Sequence, residues 1–304
     1  LVSTKDTTMS DDTLVTTDWL ESRLADPRIR VVDCRGYVTT RAIAPGVDEA
    51  FYKGAIEEYL AGHIPGAVYV DWTLDIIDPD DPVPVQIAPP ERFAAAMSER
   101  GIGDGTHVIA VDHLGGQFAT RIWWALKYYG HDAVSVLEGG WNRWVEEERP
   151  IATGVENVAP AVFTPRIQPA WRTTAAQLLD QLQAGKAQII DARDAAQYSG
   201  ERRRGPRGGH IPGAVNLPRE LFFAEGGGFV TPDEVRSLLI ERDLDPEKPV
   251  IAYCNGGVAA TVVLFNLHRA GFRHLSNYDG SWNEWGHRLD LPVETTTPPR
   301  GDGA

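Results

Sequence analysis

The sequence predicts two tandem α/β domains, each a mainly parallel sheet flanked by helices. Two observations carry this expectation. Four segments recur in the same order in the two halves, and within each half short apolar runs alternate with helical stretches. Ordered self-similarity is the mark of a duplicated unit. Strands that alternate with helices pair in parallel, because each helix carries the chain back across the sheet.

The repeats are specific. "IRVVDCRGY" at 29–37 matches "QIIDARDA" at 188–195, an apolar run ending in Asp, a small residue and Arg. "GHIPGAVYVD" at 62–71 matches "GHIPGAVNLP" at 209–218. "HVIAVDHLGGQFAT" at 107–120 matches "PVIAYCNGGVAAT" at 249–261, with one residue fewer in the second turn. "LEGGWNRW" at 137–144 matches "YDGSWNEW" at 278–285, where the Gly-Gly or Gly-Ser pair reads as a helix-start turn.

Taken in order, the runs at 31–32, 108–111, 189–190 and 250–253 are bounded by polar or Gly/Pro residues and read as buried strands. Helices are expected over 17–25, 90–100 and 120–129 in the first half, and over 174–184, 232–242 and 259–269 in the second. Thr17, Thr174 and Thr231 are placed as N-caps, the last followed by Pro232 at the first helical position. A Pro-rich polar stretch at 153–171 reads as the linker, giving domains of roughly 10–152 and 165–293. Residues 1–8 read as a leader ahead of Met9, and 293–304 as a disordered tail.

Composition narrows the function. A chain of 304 residues with a formal net charge of −14 lacks the general basic face that nucleic acid or anionic membrane requires. No apolar run is long enough for a spanning helix, and nothing at the N-terminus resembles a secretory signal. Two cysteines make neither a disulfide framework nor a zinc cluster, a pattern that fits a reducing, cytoplasmic setting with no metal or cofactor.

Cys254 ends an apolar run, is followed by Asn255, Gly256 and Gly257, and leads into a helix. At the same place in the first half stands Asp112. A cysteine at a strand end is either packing or a nucleophile. The glycine turn favours the nucleophile, since strand, turn and helix place a side chain at the ligand-binding edge of a parallel sheet. The backbone N–H groups of Asn255, Gly256, Gly257, Val258, Ala259 and Ala260 lie where a helix start gathers them toward an anion. Such a cradle favours a thiolate or a persulfide. Cys34 has no such turn and reads as a packed small residue. The position six after Cys254 is Ala260, so the arginine that a cysteine phosphatase needs for its phosphoryl group is missing.

The "HIPGA" segments, the "DCR" and "DAR" strand ends, "RIWWALKYYGHDAVSVLEGGWNRW" and "CNGGVAA" together resemble the tandem-domain rhodanese family of sulfurtransferases. The resemblance covers nearly the whole chain. It implies a catalytically silent first domain with Asp112 at the cysteine position, and a second domain whose Cys254 carries a persulfide. It also implies a small anionic sulfur donor, thiosulfate or 3-mercaptopyruvate, and a cyanide or thiol acceptor. The loop departs from both branches: it carries neither the basic residues usual for thiosulfate nor the serine usual for mercaptopyruvate, and a donor-binding arginine falls on Gln197. The donor's cation is therefore sought among Arg193, Arg204 and Arg207, with His63 as a further candidate, while Arg202 and Arg203 belong to the same basic run. Thiosulfate transfer is the leading expectation. The alternatives are 3-mercaptopyruvate transfer and a sulfur carrier without turnover.

Overall fold

A computed structural model describes residues 13–296. The expected leader at 1–8 and the end of the tail lie outside the described residues. The first half runs β1 (Leu14–Val15), α1 (Thr17–Glu21), β2 (Ile29–Asp33), β3 (Gly36–Ala44), β4 (Val47–Gly54), α2 (Ile56–Ala61) and β5 (Val68–Tyr69), then α3 (Pro90–Glu99), β6 (His107–Val111), α4 (Gln117–Tyr128), β7 (Val134–Leu137) and α5 (Gly140–Glu146). The second runs β8 (Arg172–Thr173), α6 (Ala175–Ala184), β9 (Gln188–Asp191), α7 (Ala195–Ser199), β10 (Val215–Asn216), α8 (Pro232–Ile240), β11 (Val250–Tyr253), α9 (Ala259–Arg269), β12 (Leu275–Tyr278) and α10 (Ser281–Trp285).

Each half builds a five-stranded parallel sheet, and the strand orders superpose: β5-β2-β6-β7-β1 in the first and β10-β9-β11-β12-β8 in the second. The aligned motifs therefore occupy equivalent places. Asp112 follows β6, and Cys254 follows β11, the central strand of its sheet.

The two halves share one apolar core that runs across their boundary. Helices α4 and α9 pack against each other there. Thr120 and Thr261, equivalent in the repeat, meet hydroxyl to hydroxyl at 3.0 Å. Trp123 lies edge-on to Phe265 at 5.2 Å and to Trp171 at 5.4 Å, so it packs between the domains.

Two expectations need correction. The N-cap of α1 is Thr16, whose hydroxyl accepts the Trp19 N–H, because the Thr17 hydroxyl is drawn away to Glu147. Helix α4 starts at Gln117, before the expected 120, because the Asp112 carboxylate accepts the N–H groups of Phe118 and Ala119 and caps it from a distance. The 153–171 stretch joins the two halves, as expected of the linker, and is packed rather than loose. It lies along the first domain through bonds such as Ala161 N–H to Ser98 O and Arg166 N–H to Tyr129 O, and buries Phe163 against Phe93.

One element has no counterpart in the second domain. β3 and β4 form an antiparallel hairpin that pairs Val38 with Tyr52. Its far end reaches the other domain, where the Asp48 N–H donates to Arg203 O and the Arg203 N–H to Gly46 O, both at 2.9 Å.

His107 and His131, both in the first domain, have pKa values pushed below the ordinary histidine value chiefly by burial. The unfolded chain then binds more protons than the folded one over that range, so this part of the stability is present above about pH 6.5 and is lost as the pH falls below it. The thermal unfolding midpoint should drop between about pH 7.5 and 5.5, and less so in a His131→Gln variant, which differential scanning calorimetry would read.

Candidate active site

Cys254 follows β11 and is 4% exposed, at the base of a cavity of about 170 Å³. Cys34, in contrast, is fully buried with its thiol on Val111 O, and burial pushes its pKa well up. It is a packed residue.

Backbone hydrogen bonds hold the Cys254 turn open in a defined way. Cys254 O accepts the Trp282 N–H at 3.1 Å, and Asn255 O accepts the Asn283 N–H at 2.8 Å. Gly257 O accepts from Arg121 and Asn277, and Val258 O from both the N–H and the hydroxyl of Thr261. In a trans peptide the N–H points opposite to the C=O. Pinning these four carbonyls outward turns the N–H groups of Asn255, Gly256, Val258 and Ala259 the other way, and those four residues line the cavity with Cys254. Glycine is required twice here. Gly257 has φ +71°, and a Cβ on Gly256 would stand 2.6 Å from Val85 Cγ2.

The first domain shows what such a turn holds. There the Asp112 carboxylate sits in the equivalent place. One oxygen accepts the N–H groups of Leu114 (2.9 Å) and Gly116 (2.8 Å), the other those of Phe118 (2.6 Å) and Ala119 (2.9 Å). Four converging N–H groups enclose one anion. The equivalent turn of the second domain, one residue shorter, carries the Cys254 thiol at the place of that carboxylate.

The sequence-predicted donor ligands separate. Arg193 and Arg204 line the Cys254 cavity; Arg207 and His63 do not. Arg207 is committed to backbone carbonyls, including Gly286 O at 3.2 Å and Leu291 O at 2.8 Å, and so ties down the loop after α10. His63 is buried in the first domain, with Nδ1 on Tyr59 O. Both serve the framework. Arg193 is also largely committed. Asp191 and Gly209 O take its N–H groups, and its guanidinium lies over Trp282 at 4.3 Å.

Arg204 differs. Its Nε is buried without a hydrogen-bond partner, and burial pushes its pKa down. It is the cation whose environment calls for an anion. Gln197, where the family places an arginine, accepts the Asn255 side-chain N–H at 2.8 Å and donates to Asp194 at 2.7 Å. The two departures noted in the sequence, Asn255 and Gln197, are thus partners that brace the turn from the side.

Sequence reasoning missed the walls that the first domain supplies. Val38 and Tyr52 from the hairpin, with Leu114 and Gln117 from the Asp112 turn, close the cavity over Cys254. Arg219 and Glu220, paired at 2.9 Å, also line it.

Among the described residues there is no cluster that could hold a metal ion, and no helix is long and apolar enough to cross a membrane.

Known proteins show the same architecture. Residues 16–147 and 174–288 each match the Rhodanese-like domain family. The 3-mercaptopyruvate sulfurtransferase of Escherichia coli (strain K12) is 36% identical over 289 residues, spanning 94% of this chain and 99% of the relative. The thiosulfate sulfurtransferase of Bos taurus is 34% identical over 292 residues, spanning 93% of this chain and 94% of the relative. The crystal structure of the 3-mercaptopyruvate sulfotransferase SseA from Escherichia coli superposes with a TM-score of 0.76 at 34% identity, covering 89% of this chain and 99% of that one. With the domain matched twice and full-length relatives at this identity, the chain belongs to the rhodanese family of sulfurtransferases.

Proposed function

We propose that the protein moves sulfane sulfur from thiosulfate to cyanide or a thiol through a persulfide on Cys254. The Cys254 thiolate attacks the sulfane sulfur, and the bond to the sulfonate sulfur breaks. Sulfite departs with the electron pair. The new outer sulfur is an anion, which the N–H groups of the turn receive. The acceptor then attacks that sulfur, the bond to Sγ breaks, and the thiolate is restored. One difficult transfer becomes two easier ones.

The observation that carries this reading is the pair of equivalent turns. The one at Asp112 closes on an anion through four N–H groups, and its twin, one residue shorter, carries Cys254 at the place of that carboxylate, followed by the cavity-lining Asn255, Gly256, Val258 and Ala259. In this reading the first domain, 10–152, is catalytically silent and roofs the site, while the second, 165–293, carries the chemistry. Arg204 is the donor's cation, with Arg193 behind it. Two free cysteines suit a reducing compartment.

A second reading, 3-mercaptopyruvate as donor, draws on Tyr52. Its hydroxyl is the only one among the residues that line the cavity, and in this reading it protonates the enolate that forms as the carbon–sulfur bond breaks. The Ser281 hydroxyl is not available, since it donates to Tyr278 O and accepts the Cys254 N–H.

Thiocyanate or persulfide formation with each donor in parallel, with intact-mass analysis after donor exposure, separates the readings. Turnover with thiosulfate and a one-sulfur gain are expected; turnover confined to 3-mercaptopyruvate would replace the first reading with the second. A mass gain without turnover would mark a carrier. Arg204→Met should lower kcat/KM for the donor about 30-fold, as expected for one charge-assisted contact to an anion.

A further inference from the structure

The first domain does more than roof the site. Arg121 leaves α4 and crosses into the second domain, where it is 1% exposed. Its Nη1 donates to Gly257 O at 3.2 Å and to Asp279 Oδ1 at 2.6 Å, and its Nη2 donates to Val85 O at 3.0 Å. Asp279, fully buried, accepts in turn the Ile87 N–H on its other oxygen at 2.8 Å, and its carbonyl accepts Gln86 Nε2 at 3.0 Å. Residues 85–87 and Arg121 thus grip Asp279 and the active turn together. Val85 holds φ +60°, a rare conformation for a β-branched residue, at the point where its side chain presses on Gly256. The repeat offers no reciprocal contact: the residue equivalent to Arg121 in α9 is Val262.

We propose that Arg121, carried by the domain without the cysteine, is a positioning residue for sulfur transfer: it fixes the Gly257–Val258 peptide so that the Val258 N–H faces the Cys254 sulfur. The proposal rests on Cys254 being the nucleophile of an anion-stabilised transfer. Gly257 O has two donors, Arg121 from one domain and Asn277 Nδ2 at 2.9 Å from the other. With one donor gone, a glycine peptide at positive φ is free to rotate, and one N–H leaves the cradle. Anions at the site then lose a contact that neutral molecules never used.

Arg121→Lys tests this, because it keeps the charge beside Asp279 but cannot span Asp279, Gly257 and Val85 at once. The readout is the ratio of Cys254 alkylation rates by iodoacetate and iodoacetamide, followed by intact mass, beside donor kinetics and the unfolding midpoint. The wild-type ratio should exceed that of glutathione. In Arg121→Lys it should fall toward glutathione's, with kcat/KM for the donor down about 100-fold, the usual effect of losing one oxyanion-type donor. A wild-type ratio no higher than glutathione's overturns the proposal. So does a variant within twofold of wild type in both ratio and kcat/KM, or one in which both reagents slow equally, since that is loss of packing alone. If Arg121→Lys does not fold, Asn277→Ala removes the other donor to the same carbonyl, and an unchanged ratio there is equally decisive against the proposal. Failure of all donors with an intact anion preference would sink the transfer reading and leave the positioning of the peptide standing.

Discussion

Cys254→Ser is expected to abolish sulfur transfer, with kcat/KM reduced at least about 10⁴-fold, while the fold stays intact. A serine hydroxyl is not ionised near neutrality, and no histidine lines the cavity to take its proton. An oxygen at this position also cannot form the persulfide. The structural cost is small, because the neighbours hold Cys254 by its backbone: the N–H on Ser281 and the C=O on the Trp282 N–H. Thiocyanate formation and intact mass after donor exposure would read the loss, and the unfolding midpoint would show that the fold is unaffected. Measurable turnover in the serine variant would remove Cys254 from the mechanism.

Asp112→Ala is expected to be the most damaging single change to stability in the first domain. Four backbone N–H groups would lose their acceptor together, three of them on buried residues, and the anion that caps the start of α4 would be gone. Buried donors left unsatisfied cost about 1–3 kcal/mol each before relaxation or entering water offsets part of it, so a net loss of about 3 kcal/mol or more is expected. Asp112→Asn should recover little, since its amide would point a donor at two N–H donors. Urea unfolding of both variants would measure this. The transfer rate per folded molecule should also fall, because the turn that Asp112 holds carries Leu114 and Gln117, which line the Cys254 cavity.

The two variants probe one motif with opposite contents. In the first domain the turn is a structural device, complete once Asp112 folds back into it. In the second, a turn one residue shorter carries a thiol at that place.

Much of this was legible in the sequence. Helix α9 was read at its observed bounds, as was the β11 strand, because each is a continuous apolar or helix-forming run ended by a glycine or polar break. Thr174 and Thr231 were read as caps, and both close full capping boxes, with Gln177 and Glu234 three residues on. Asp191 ends its strand and holds Arg193 two residues on, a pairing that local spacing alone permits. The hairpin was not legible. All of β3 beyond Val38 and three of the eight residues of β4 are exposed, and no residue of β4 is buried, so burial imposes no apolar alternation on them.

The sequence by itself determined the repeat, the order of strands and helices, and the choice of Cys254 over Cys34. Those follow from local patterns: periodicity, turn chemistry and the match between halves. Only the tertiary structure decided which arginine remains for an anion. Four of the candidates are similar as letters, yet Arg207 is used up on carbonyls, Arg193 on Asp191, and Arg202 on Asp48, while Arg204 keeps a buried Nε without a partner. It also brought Tyr52, from the domain lacking the cysteine, into the lining of the Cys254 cavity and Arg121 onto the Gly257 carbonyl. The physical reason is range. Helix and strand signals act over a few residues, whereas packing brings Arg121 to Asp279 and Arg202 to Asp48 across more than a hundred residues of chain.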